Sequence, residues 1–182
     1  MPMNKSLLIT RPNHDNTTNY LYYWSVSVVD EAKKKGFDVY DLFGKKADKE
    51  NKAQFVNKSI IYARSCDAGS VLGRELVKEG AMAFIGYVRK FIFAYTSSKI
   101  TKPLQDSLAG LFLEPSNLVV TTIIKGHSVL VADQRSKASM LANFRKMIST
   151  SAAYEEKFAA RWLWGNIKNQ VVLGGSGASL NY

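Results

Sequence analysis

The chain has 182 residues, enough for one well-filled core and short for two. Its 46% hydrophobic and 22% charged residues describe an ordinary globular domain. A formal charge of +10, much of it in lysines between positions 33 and 58, would suit nucleic acid or an acidic partner. These lysines are not interleaved with aromatics in the manner of a stacking platform, so the charge reads as a solvated lysine-rich surface and nucleic acid ranks behind peptide or protein as partner. One cysteine excludes an internal disulfide. No apolar signal core follows a basic start, which makes a reducing, cytoplasmic setting the expectation. No apolar run approaches membrane-spanning length, so no membrane partner is expected.

Along the chain, strand and helix patterns alternate, which argues for an α/β fold with a mostly parallel sheet and helices on both faces. Ser6 to Thr10 is a short apolar run closed by Arg11-Pro12-Asn13, a first strand and turn. From Thr17 to Lys35, Tyr20, Leu21, Trp24, Val28 and Val29 recur at helical spacing, and Gly36 supplies the stop. Phe37 to Phe43 alternates as a second strand, and Lys46 to Val56 is expected as a lysine-rich helix. The apolar run Ser59 to Ala63 is the next strand, followed by a helix from Ser70 to Lys78 and a strand from Ala81 to Tyr87. Pro103 to Phe112 looks helical, and Glu114-Pro115-Ser116-Asn117 is expected as a turn leading into a helical region from Leu118 to about Ile148, interrupted near Gly126. A last helix, Tyr154 to Trp164, precedes a closing strand, Gln170 to Leu173. Residues 1–174 thus read as a single domain and 175–182 as a Gly/Ser-rich, flexible C-terminal tail.

The chemistry concentrates at Cys66. It stands at the carboxyl end of the Ser59 to Ala63 run, where open α/β sheets display reactive side chains. Facing the amino end of a following helix, its thiolate would be favoured by the helix dipole; a buried structural cysteine is the alternative. Ser65 reads as a turn hydroxyl, and Arg64 as a group that salt-bridges beneath the site. Phe91, Phe93, Tyr95, Trp162 and Trp164 suit a core better than a ligand groove. The scattered His, Cys and carboxylates show no metal-ligand spacing, and no glycine-rich stretch forms a phosphate cradle, so neither metal nor cofactor is expected.

Leu8-Ile9-Thr10-Arg11-Pro12, Ile61-Tyr62-Ala63-Arg64-Ser65-Cys66 and Gly80-Ala81-Met82-Ala83-Phe84-Ile85-Gly86-Tyr87, in this order of elements, resemble the caspase-like cysteine peptidases of bacteria and archaea. Leu111 to Leu118, Ile124-Lys125-Gly126-His127 and Trp162-Leu163-Trp164 extend the resemblance over nearly the whole chain. It implies a caspase-hemoglobinase three-layer sandwich and acyl transfer from peptide bonds, with Cys66 as nucleophile. The family's histidine comes from a His-Gly motif after a further strand, and this chain lacks that motif. Only residues 44–58 separate the second strand from the cysteine strand, which one crossover helix uses up. One central strand is therefore expected to be absent, with the first strand re-paired against the cysteine strand.

The chain's two histidines are His14 and His127. His14 follows the first strand and is the candidate substitute base for Cys66, with Asp15 orienting its ring or, like Asp67, binding a basic substrate side chain. His127 reads as a helix-start residue. Two functions follow: a caspase-like cysteine peptidase, or a catalytically inactive homologue acting as a protein-interaction or scaffold module.

Overall fold

A computed structural model describes residues 5–9, 15–41, 56–65 and 67–180. Strand β1 (Ser6–Ile9) pairs in parallel with β2 (Asp38–Asp41), Leu7 opposite Val39. The crossover between them is α1 (Asn16–Trp24) and α2 (Val26–Lys34) rather than one continuous helix. The break at Ser25 has a local and a distant cause. Ser25 Oγ donates to Tyr22 O at 2.8 Å and Val28 N–H turns to Ser25 O at 3.1 Å, and the Trp24 carbonyl accepts instead from Asn117 Nδ2 at 2.6 Å. The expected lysine-rich helix from Lys46 falls, but for Val56, outside the described residues.

Strand β3 (Ile60–Tyr62) leads through α3 (Leu72–Lys78) to β4 (Ala83–Tyr87), which it joins in parallel; β5 (Gln170–Gly174) adds to the other edge of β4 in antiparallel sense. The fold is therefore mixed α/β, with small sheets. Re-pairing of the first strand against the cysteine strand does not occur among the described residues: β1 takes β2, and β3 takes β4, each through its own crossover. Their union is made by a helix. In α4 (Ser107–Ile124), Val119 and Ile123 pack with Ala83 and Ile85, while Val120 and Ile124 share a cluster with Leu7 and Val39. One helix thus does the joining that the sequence assigned to a strand ladder.

Every residue of β4 is buried, as expected of a central strand covered on both faces. Ala83, Ile85 and Tyr87 face α4 and the following helix, α5 (Val129–Met147), whereas Phe84 faces α3. The Phe84 ring fits only because Gly73 and Gly86 carry no side chain; a Cβ at Gly73 would meet it at 2.6 Å. Gly73→Ala is therefore expected to lower stability by about 1–3 kcal/mol, the range for overpacking a filled core. Urea unfolding measures it, and an unchanged midpoint would show that Phe84 has room to yield.

The expected turn at Glu114-Pro115-Ser116-Asn117 is instead the middle of α4. Proline cannot donate to the carbonyl four residues back, so Leu111 O is released from the helix ladder. Asn143 of α5 fills the place, its Nδ2 donating to Leu111 O at 2.8 Å. A tertiary partner thus absorbs most of what proline takes from the helix. The 18 residues of α4 also reach membrane-spanning length, with mean hydropathy 1.4, which composition had not suggested. Two thirds of that window is buried, and Phe112 and Leu113 lie in the main cluster with Tyr20, Tyr87 and Leu163, the reading of a core helix. At its end Gly126, with φ +87°, donates to Ile123 O and His127 N–H to Thr122 O, a Schellman closure. His127 therefore ends α4 rather than opening α5, whose cap is Ser128.

Helix α6 (Tyr154–Asn169) runs straight into β5. Where the sequence expects a mobile tail, the residues after β5 are held. Gly175 N–H donates to Met82 O, and Ser176 O and Ala178 O accept from Leu130 and Val129 N–H, all at 2.9 Å. Those two N–H groups belong to the first turn of α5 and have no partner within the helix, so the segment serves as its cap. Leu180 packs beside both smaller clusters.

Candidate functional site

Cys66 and His14, the proposed nucleophile and substitute base, lie outside the described residues. Their surroundings are defined. The chain leaves β3 at its carboxyl end, and Ser65 and Asp67, on either side of position 66, are both exposed. The turn that follows is pinned to the end of β4: Gly69 N–H donates to Tyr87 O at 2.9 Å and Ser70 Oγ to Val88 O at 3.3 Å. Gly69 is required by proximity, since a Cβ would sit 2.8 Å from Val171 Cγ2 and 3.1 Å from the Tyr87 carbonyl carbon. Asp67 adopts φ +56°, a left-handed conformation that Asp and Asn tolerate better than most residues. The helix invoked to favour a thiolate begins only at Leu72, after the turn 67–71, and carries no side-chain cap. A helix dipole acts over its first turn, and that turn starts five residues beyond Asp67.

The same edge carries charges that the sequence reading did not foresee. Two adjoining clefts of about 340 and 650 Å³ open at the carboxyl end of β3 and β4, and Asp67 and Arg89 line both. Lys90, Arg161, Trp162 and Asn169 border the first, and Ser70 and Arg74 the second. Arg74, Arg89, Lys90 and Arg161 are exposed, and among the described residues none forms an ion pair. The Arg161 guanidinium lies 4.1 Å from the Phe158 ring centroid and 5.0 Å from that of Trp162. Four cations thus face one carboxylate at the edge where the sequence placed its chemistry. Arg89-Lys90, directly after β4, could have been read from the rule that open sheets bind at strand carboxyl ends. Arg161, half a chain away on α6, left no such sign.

Asp15 sits apart from this cleft, after β1. Its carboxylate caps α1 by accepting from Thr18 N–H at 2.7 Å, and the Thr18 hydroxyl oxygen in turn accepts from the Asp15 backbone N–H at 3.0 Å. Arg64 makes no salt bridge among the described residues. Its Nη1 donates to Asn117 Oδ1 at 3.0 Å, and Asn117 in turn holds the Trp24 carbonyl, so a neutral amide ties β3 to the α1–α2 break. Of the aromatic set, Phe91, Phe93 and Tyr95 pack around Tyr20 as core, Trp164 lies against Phe144, and Trp162 alone reaches the cleft.

A polar chain links β3, β4 and β5 to α4 and α5. Tyr62 OH meets Ser116 Oγ at 2.8 Å and Tyr87 OH at 3.4 Å; Tyr87 OH donates to Gln170 Oε1 at 2.9 Å, and Gln170 Nε2 to Asp133 Oδ1 at 2.9 Å. Lys137 closes it with an ion pair to Asp133 at 3.0 Å. Burial raises the pKa of both tyrosines, Tyr87 furthest, so both stay neutral hydroxyls at physiological pH. No cluster of three or more metal-ligating side chains occurs among the described residues. Comparison with family models, curated proteins and solved structures returns no match to this chain.

Proposed function

We propose that the chain is a caspase-like domain of cysteine-peptidase type, which holds a peptide at the carboxyl edge of β3 and β4 with Cys66 as nucleophile. The observation that supports it is the exposure of Ser65 and Asp67 beside a cleft at that edge, in the segment that carries the resemblance. In the reaction the thiolate attacks the scissile carbonyl carbon, the C–N bond breaks as the amine takes up a proton, and water cleaves the resulting thioester. Backbone N–H groups would hold the oxyanion, and His14 is the histidine assigned to move the protons.

A second reading, an inactive homologue serving as an interaction or scaffold module, is favoured by the supply of histidine. His127 belongs to the helix end described above, and His14 follows β1, which is laddered to β2 and not to β3. Iodoacetamide labelling against pH separates the two. In the enzyme Cys66 reacts at pH values well below the ordinary thiol pKa of about 8.5, and Cys66→Ala abolishes peptide cleavage, a loss on the order of 10⁶-fold. An ordinary thiol titration with no cleavage of a peptide library would leave the interaction module.

A further inference from the structure

We propose that the double cleft at Arg89 binds an extended peptide segment rich in aspartate or glutamate. The inference rests on the peptidase-type reading only in taking a peptide as the ligand; the charge preference follows from the cleft itself, and it runs opposite to the basic preference suggested by Asp15 and Asp67 from sequence. Arg74, Arg89, Lys90 and Arg161 line the two lobes without acidic partners among the described residues, so they are free to pair with a ligand. Arginine predominates, and its planar fork suits carboxylates in two-pronged geometry. Stacking on Phe158 and Trp162 holds the Arg161 fork in place before a ligand arrives, which reduces the entropy lost on binding.

Shape and the one acid narrow the ligand further. Two shallow, open lobes that share Asp67 and Arg89 form an extended surface rather than an enclosed anion pocket, and such a surface suits a chain passing from one lobe to the other. Asp67, at the junction, repels a backbone that carries charge at every unit, as nucleic acid does, but accepts from a peptide N–H. Ile92 and Trp162 add apolar surface in the first lobe for the methylenes of glutamate or a neighbouring side chain.

Fluorescence anisotropy with the full chain tests this, using a labelled peptide of alternating Glu and Ala, its Gln analogue, and an oligothymidylate of equal charge. The Glu peptide is expected to bind at least about tenfold more tightly than the Gln analogue and to weaken as salt rises. Arg89→Glu with Arg161→Glu should reduce that affinity at least about tenfold while lowering the thermal midpoint by no more than about 2–4 °C, the cost of the lost Arg161 stacking, since both side chains are exposed. Should the reversals perturb folding, Arg74→Gln in the second lobe is expected to weaken the same peptide severalfold. Equal binding of the Glu and Gln peptides, tighter binding of the oligothymidylate, or indifference to all three substitutions would overturn the proposal. Acidic-peptide binding without cleavage sustains it while defeating the peptidase reading; cleavage confined to basic peptides does the reverse.

Discussion

Asp106→Ala is expected to destabilise the fold by about 3–5 kcal/mol, more than any other single polar truncation in the described chain. Asp106 is 1% exposed and stands at the start of α4. One carboxylate oxygen accepts from Tyr20 OH at 2.7 Å and Thr96 N–H at 2.6 Å. The other accepts from Leu108 and Ala109 N–H at 3.1 and 3.2 Å and from the Thr96 hydroxyl at 3.2 Å. Loss of a cap alone costs about 1 kcal/mol. The larger part comes from leaving a buried tyrosine hydroxyl and a loop N–H without partners, each worth about 1–3 kcal/mol. Asp106→Asn keeps one acceptor and should fall between alanine and the native protein. Urea unfolding of the three proteins measures the series, and an alanine variant within 1 kcal/mol of the native would mean that water replaces the carboxylate at little cost.

Alkaline pH is the second large lever. Burial raises the pKa values of Tyr20, Tyr62 and Tyr87, and for Tyr20 the hydrogen bond to Asp106 adds to it. In the unfolded chain each ionises near pH 10, so above that value the unfolded state releases protons that the folded state keeps. The stability these groups contribute is whole below pH 10 and is lost as pH climbs from there towards their folded values. The slope is about 1.4 kcal/mol per pH unit for each tyrosine held neutral, roughly 4 for three together. A melting temperature nearly constant from pH 8 to about 9.5 should therefore drop steeply above pH 10. Absorbance titration of the nine tyrosines should show a late fraction that ionises only with unfolding. If all nine ionise while the fold persists, the hydroxyl network is open to solvent.

How much of this was legible depends on where the causes lie. Elements built from local pattern were readable: β4 from its unbroken apolar run, α3 from its spacing, β5 from Gln170-Val171-Val172-Leu173. Misreadings occurred where a distant residue decides. Pro115 predicts a turn until Asn143 is known to serve the Leu111 carbonyl, and Thr17 to Lys35 predicts one helix until Asn117 is known to take up the Trp24 carbonyl. Both errors have one origin, since a backbone group freed at one place was satisfied from another. The site follows the same division. Strand polarity drew attention to the edge that carries Asp67, but the electropositive character of the cleft there depends on Arg161 of α6 lining it together with Arg89 of the β4 loop. Glycine and serine after β5 suggested looseness, yet small residues are also what lets a chain lie close enough to Met82 and α5 to bond with them.

Because β5 forms one border of β4, the middle strand of its sheet has an open side until residues 170–174 have been synthesised. A nascent chain therefore exposes the apolar Ala83–Tyr87 strand while α4, α5 and α6 are being made, a long interval for a surface able to recruit strands from other molecules. Ribosomal pausing within that stretch should raise the burden on chaperones, and the yield of native protein should depend on translation speed there more than in the first forty residues.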